Sequence, residues 1–218
     1  MPAQKYALII ILAIVLFINH NSAFCQEKNE SIYWVGGSGS WSDFFRHWAN
    51  SSGGDSKVFG KVPDAGDTVY FDNLSFKSGE DILYIEIDDN AECFTLDFSR
   101  ATKKIVVNKL STTVNLRIYG SLILNPIITF NIKNTISFEA LTKGHIIRNF
   151  GVALPNIILN GKGGSWSLSD DLVCDALIHR NGILQSNSNS ISATIYSADN
   201  SSTDRELHLN NSVFNIKS

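Results

Sequence analysis

The sequence predicts an all-β protein: a right-handed parallel β-solenoid (β-helix) behind a tryptophan-rich N-terminal cap. Three observations lead there. Asn, Ser, Thr, Gly and Ile are abundant, while runs rich in Ala, Glu, Lys and Leu, the usual helix material, are absent from the chain beyond its first residues. Apolar residues either alternate with polar ones or form short runs closed by Asn, Gly or Ser, which are strand and turn signals. A short apolar triplet also recurs about every 20 residues, the mark of a coil built from stacked repeats. The competing fold is an antiparallel β-sandwich, whose strands come every 8–12 residues or so without repeating by type.

Residues 1–25 read as a secretory signal peptide. Lys5 supplies the positive n-region, and Tyr6 to Ile18 is uninterrupted apolar sequence, shorter than the roughly 20 residues a membrane span needs. Ala23 and Cys25 are the small residues before a cut at Gln26. Cys25 could carry a lipid, but the bulky Phe24 before it disfavours that modification. The mature chain, 26–218, is long enough for one domain with a sizeable core. The whole chain carries a net charge of −3, one unit more negative once Lys5 is removed. A mildly acidic chain has no electrostatic footprint for nucleic acid or anionic membrane. Cys93 and Cys174 remain; two cysteines make no disulfide framework, and two buried thiols are preferred over a pair.

Residues 26–90 form the cap region. It holds three of the four tryptophans, Trp34, Trp41 and Trp48, with Phe44, Phe45 and His47 among them. A solenoid needs an apolar plug over its first coil, which large aromatics supply. The functional alternative is a carbohydrate-stacking platform on Trp34, Trp41 and Trp48. Ser42 to Ala49 is the one helical turn expected, with Ser42 as N-cap. Gly36-Gly37-Ser38-Gly39 lacks the Lys-Ser/Thr of a phosphate loop and reads as a turn.

Residues 91–218 form the coils. Strand signals start at Leu96, Leu116, Ile136, Ile157 and Leu177. These residues are expected to stack as one inward ladder, with Phe98, Ile118, Phe138, Leu159 and His179 as a second. Gly120, Gly161 and Asn181-Gly182 mark corners, and Ile105–Val107, Leu122–Leu124, Ile146–Ile147 and Trp166–Leu168 supply further strands. Strand signals continue through Leu207–Leu209 and Val213–Ile216, so further coils or a docked partner are expected at that edge.

The opening Tyr33-Trp34-Val35-Gly36-Gly37-Ser38-Gly39-Ser40-Trp41, the later Val62-Pro63-Asp64 and Asp67-Thr68-Val69-Tyr70-Phe71-Asp72, and segments such as Ile118–Leu122, Leu154-Pro155-Asn156 and Leu159–Trp166 carry a likeness. The chain resembles large secreted surface proteins of Bacteroidetes bacteria over nearly all of its mature length. The resemblance implies a β-helical, adhesin-like exoprotein, often part of a much longer polypeptide. No C-terminal sorting domain of the kind such proteins carry is recognisable, so release is expected over anchoring.

Candidate chemistry is sparse. Asp88, Asp89 and Glu92 are weak calcium candidates within an acidic stretch. Strict alternation from Leu83 to Asp88 favours a solvated strand face instead, with a turn at Asp88-Asp89-Asn90. The outward column is expected to run Asp97, Arg117, Ser137, Ile158, Ile178, with Asp97 and Arg117 as a surface ion pair. No carboxylate pair converges on it, as a glycoside hydrolase would need, and Asp170-Asp171 reads as a turn. His47, His145 and His179 have no zinc-ligand spacing. Ile158 and Ile178, outward and adjacent, are candidates for a partner surface. The expectation is an exported structural or adhesin-like protein, secreted or on the outer cell surface, that meets an extracellular glycan or protein. A carbohydrate-binding module is the alternative, and a polysaccharide lyase or hydrolase a more distant one.

Overall fold

Alternation of apolar and polar residues becomes alternation of burial. In the strand Ile82–Ile87, Leu83, Ile85 and Ile87 are buried while Tyr84 faces solvent. The computed structural model describes residues 29–109, 115–131, 135–198 and 204–217; the signal segment 1–25 lies outside them. In chain order the strands are β1 (Ser31–Trp34), β2 (Gly39–Ser40), β3 (Trp48–Ala49), β4 (Thr68–Asp72), β5 (Ile82–Ile87), β6 (Ala91–Cys93), β7 (Thr95–Arg100), β8 (Lys104–Lys109) and β9 (Leu116–Ile118). There follow β10 (Leu122–Ile123), β11 (Ile128–Phe130), β12 (Ile136–Phe138), β13 (His145–Arg148), β14 (Ile157–Leu168), β15 (Leu172–Gln185), β16 (Ile191–Ala198), β17 (Arg205–His208) and β18 (Phe214–Ile216).

Strands that pair in space lie about one circuit apart in sequence, and they run parallel. The first face is β1, β4, β7, β10 and β13, continued by the later halves of β14 and β15 and by β17. The second face is β2, β5, β8 and β11. Beyond β11 its place in the circuit is taken by Leu154, the starts of β15 and β16, and β18. The third face is β6, β9, β12, the start of β14, the middle of β15 and the end of β16. The chain therefore winds as a parallel β-solenoid of about six turns. Among the described strands only β3 lies antiparallel to its neighbour, β1, so the sandwich alternative is excluded.

The two inward ladders of the third face begin one strand earlier than the sequence predicts. Ala91, Leu116, Ile136, Ile157 and Leu177 stack in one, and Cys93, Ile118, Phe138, Leu159 and His179 in the other; all are buried. Leu96 instead stacks with Val69, Leu122 and, one rung on, Ile147 on the first face. The circuit from β6 to β9 is longer than those after it, and every face places inward residues two apart. A fixed repeat counted backwards from Leu116 therefore lands on the neighbouring face.

Residues 26–90 are not separate from the coil: β4 and β5 are already rungs beneath β7 and β8, so the ladders run unbroken across residue 90. What is added is the segment between β2 and β4, which folds over the first rung. Its expected helical turn, Phe44–His47, starts after Asp43 rather than Ser42, and a second, Ser56–Phe59, capped by Asp55, adds to the one the sequence predicts. Ser42 bonds through its backbone N–H and its hydroxyl to the Asp88 carboxylate, tying the segment to the coil. Trp48 packs edge-on to both Trp34 and Trp41, and Trp34 stacks on His47 and Phe71. Phe71 in turn stacks on Phe98, so the aromatic plug continues as a spine into the coil.

Corners need glycine where turns touch. A Cβ at Gly161 would lie 1.9 Å from the Ala140 carbonyl oxygen of the turn below, an approach that only a residue without a side chain permits. The adjacent acids at the next corner diverge. Asp170 accepts from the backbone N–H groups of Asn149 and Phe150 on the preceding turn, and Asp171 from Ser190 N–H on the following one. Each carboxylate satisfies corner amides that leave their strand ladder.

Trp166 tests how the coil is held. It is fully buried, lies edge-on to Phe138, and donates from Nε1 to the Gly120 carbonyl oxygen at 3.0 Å, joining its first-face strand to the corner after β9. Trp166→Phe should cost about 1–2 kcal/mol, chiefly the orphaned carbonyl. Trp166→Ala should cost about 3–5 kcal/mol by leaving a cavity as well. Urea unfolding of the two variants against the parent checks the order.

Candidate functional site

The three cap tryptophans lie inside, as the plug reading expects. Trp34, Trp41 and Trp48 are 0%, 2% and 0% exposed, and the Trp34 and Trp48 indole N–H groups donate to the Gly37 and Trp41 carbonyl oxygens. With their faces packed on one another they cannot stack on a sugar, so the platform on these three residues is overturned in favour of the plug. The cause is the pleat: Trp34 shares its inward side with Ile32, and Tyr33 takes the outward one.

The calcium candidates do not converge. Asp88 accepts from Ser42, Asp89 from Asn90 N–H, and Glu92 pairs with Arg117. Among the described residues no group of three or more His, Cys, Asp or Glu is placed to hold a metal ion. The ion pair expected between Asp97 and Arg117 is replaced by Glu92–Arg117 at 2.8 Å. Asp97 lies on the first face and caps its own turn at Ser99 N–H. Ile158 and Ile178 do sit on adjacent rungs and point outward, each half-buried.

What the structure assembles on the third face is a row of polar side chains that sequence reasoning did not join. Glu92 and Arg117 occupy the first two rungs and pair with each other, and Tyr119 follows Ile118 on the second. On the third rung Ser137 Oγ donates to Glu139 Oε1. Glu139 Oε2 accepts from Asn160 Nδ2 at 2.9 Å, and Asn160 Oδ1 accepts from Asn181 Nδ2 at 3.2 Å. The row thus crosses five consecutive rungs, about 19 Å at a rung spacing of about 4.8 Å. Tyr119, Glu139 and Asn160 each follow an inward ladder residue, Ile118, Phe138 and Leu159. A register shift after Leu159 brings Asn181 rather than Arg180 beside Asn160. The signal in the sequence was therefore the residue after each inward pair, read one place later at the bulge.

The Glu92 carboxylate holds the Arg117 guanidinium charged, raising its pKa. Burial and the nearby Glu92 charge push the Tyr119 phenol up, so it stays protonated. A protonated phenol, a paired guanidinium and carboxylates engaged by Arg, Ser and Asn make the row a set of hydrogen-bonding groups. Cys93 and Cys174 are free and buried, and burial raises both, Cys174 to about 12.

One cleft lies away from this row and another opens at its far end, next to Asn181. One, of about 310 Å³, opens where the second face is interrupted after β11; Pro126, Phe130, Phe150 and Val152 line it. Phe150 has φ 50 and is pinned there by Asp170. The other, of about 580 Å³, is flanked by Lys143, Lys162, Asp204 and Glu206, with Lys162 and Asp204 3.4 Å apart.

The histidines serve the core. His47 Nδ1 lies 3.0 Å from the Val35 carbonyl oxygen, His145 Nε2 2.9 Å from Thr142 Oγ1, and His179 Nε2 2.9 Å from the Gly182 carbonyl oxygen. His179 is fully buried in a ladder and its Nδ1 has no partner. Burial lowers all three below the usual 6.5. Each therefore binds a proton more readily unfolded than folded, and stability is full above pH 6.5 and falls as pH drops below it. The urea midpoint should fall between pH 7 and pH 5, and His179→Leu, matching Leu159 on the same ladder, should flatten that fall. Comparison with family models, curated proteins and solved structures finds no match to this chain.

Proposed function

We propose that this is an exported, non-catalytic interaction protein, a rigid adhesin-like rod whose flat outer faces meet extracellular molecules. The observation that carries this reading is the state of the third-face carboxylates. Glu92 is spent on Arg117, and Glu139 on Ser137 and Asn160, whereas glycoside hydrolysis needs two carboxyl groups facing a common substrate across about 5–9.5 Å. A fold made of stacked rungs also suits display. Its core side chains are held by the rungs above and below, so outward residues change without cost to the interior. The signal-like residues 1–25 support export, and the likeness to secreted surface proteins of Bacteroidetes supports a place on or outside the cell.

Incubating the mature chain with a panel of polysaccharides should release neither reducing ends nor unsaturated products. Release by the parent chain that is lost in Glu139→Gln would overturn the reading in favour of an enzyme. Expression of the whole chain with its first 25 residues should yield a mature N-terminus at Gln26, read by N-terminal sequencing.

A further inference from the structure

We infer that the polar row of the third face is a binding strip for a neutral glycan chain lying along the solenoid axis. The inference rests on the non-catalytic interaction reading and names its ligand. Three features of the strip point to this class of ligand.

The first is the chemistry of the groups. Guanidinium, carboxylate, amide, phenol and hydroxyl side chains present planar or forked donors and acceptors, the groups that match the paired hydroxyls of a sugar ring. Most are already joined to one another, Glu92 to Arg117, and Ser137 through Glu139 and Asn160 to Asn181. A ligand therefore meets groups whose rotamers are set, and less side-chain entropy is lost on binding.

The second is the shape of the row. It steps one rung at a time along the parallel third face, from Glu92, Arg117 and Ser137 within the strands to Tyr119, Glu139 and Asn160 at the end of the face. A linear row of hydrogen-bonding groups repeated at about 4.8 Å suits a linear polymer whose polar groups also recur at every unit. Ile158 and Ile178, half-buried beside Asn160 and Asn181, add an apolar surface for the C–H faces of the rings. A protein partner would be expected to find apolar aromatic anchors instead; on this face Phe138 points into the core, Tyr196 packs against it, and Tyr119 carries a polar hydroxyl.

The third is charge. The two carboxylates of the strip are balanced by Arg117 and by Arg180, exposed between Ile178 and Asn181. A strip with no excess of either sign on a mildly acidic chain matches an uncharged polyol better than uronates, sulfated glycans or anionic membrane.

The test is affinity electrophoresis of the mature chain through native gels containing laminarin, xyloglucan, galactomannan or amylopectin, with alginate and heparin as anionic gels. At least one neutral polymer should retard the chain, with little change on adding salt. Tyr119→Ala and Asn160→Ala should weaken that retardation at least tenfold while the thermal midpoint stays within a few degrees. Phe150→Ala, in the remote cleft, should bind like the parent. Ile158→Arg sets a bulky charge on the strip without removing a member of the network, and it should weaken binding equally if Asn160→Ala fails to fold. Absence of retardation in every neutral gel overturns the inference, as does retardation confined to the anionic gels or unchanged by the strip variants. Attachment of the chain to cells or matrix without polysaccharide binding overturns the glycan strip alone, whereas product release from a polysaccharide overturns the non-catalytic reading beneath it.

Discussion

Everything in this molecule depends on the register between successive turns. Parallel pairing puts each residue directly above its counterpart about 4.8 Å away, so the identity of one inward residue constrains the next. Ile118, Phe138 and Leu159 fill one column because each must be covered by an apolar neighbour on the rung above and on the rung below. The same register explains the exceptions. Gly161 is small because the backbone of the turn below passes under it, and His179 keeps one ring nitrogen without a partner because its column is otherwise apolar. A column of this kind has two ends that the repeat itself cannot cover. At the first rungs β3 reverses direction against β1, and Trp34, Trp41 and Trp48 close over the core. The tryptophans are thus answers to the geometry of stacking, which is why their faces are given to one another.

Corners carry the second consequence. A strand that bends to the next face leaves amide groups without a ladder partner, and these must be met by something other than the sheet. The chain meets them with short polar side chains placed one turn away: Asp170 holds Asn149 and Phe150, Asp171 holds Ser190, and Asn125 Nδ2 reaches the Ala101 carbonyl oxygen. This is the physical origin of the Asn, Asp and Ser richness that first argued against helix. It also explains how Phe150 can hold a left-handed backbone conformation: two hydrogen bonds to one carboxylate over-determine its position.

The sequence made the class of fold legible because the coil repeats itself, and each inward triplet from Leu116 onward was placed in its correct column. It made the first column illegible because a period alone does not say which face a triplet belongs to. Leu96-Asp97-Phe98 has the pattern of Ala91-Glu92-Cys93 in stronger form, and only the length of the intervening circuit separates them. The error propagated outward: with Asp97 in the wrong column, Arg117 was given the wrong partner. The platform alternative for the tryptophans fails for a related reason: it takes aromatic residues by type, whereas the pleat sorts them by parity, sending Trp34 in and Tyr33 out. The polar row was missed because its members differ in type, Tyr119, Glu139, Asn160 and Asn181, and share only a position after the inward pair, which one bulge then displaces.

That difference in legibility follows from what the two sides of a rung must satisfy. Inward residues are chosen by their neighbours, so they resemble one another and reveal the period. Outward residues are free of that requirement, and a network among them has another cause. Surface ion pairs such as Glu92–Arg117 contribute at most about 1 kcal/mol, and amide contacts such as Asn160–Asn181 only about 0.5–1.5 kcal/mol each. The core does not need them, since fully burying one Leu or Ile of the ladders contributes about 1.5–3 kcal/mol. Two short runs of modest contacts along one face, Glu92–Arg117 and Ser137–Asn181, add little to a core already held by many larger ones; their fixed rotamers would instead spare a ligand the cost of ordering them.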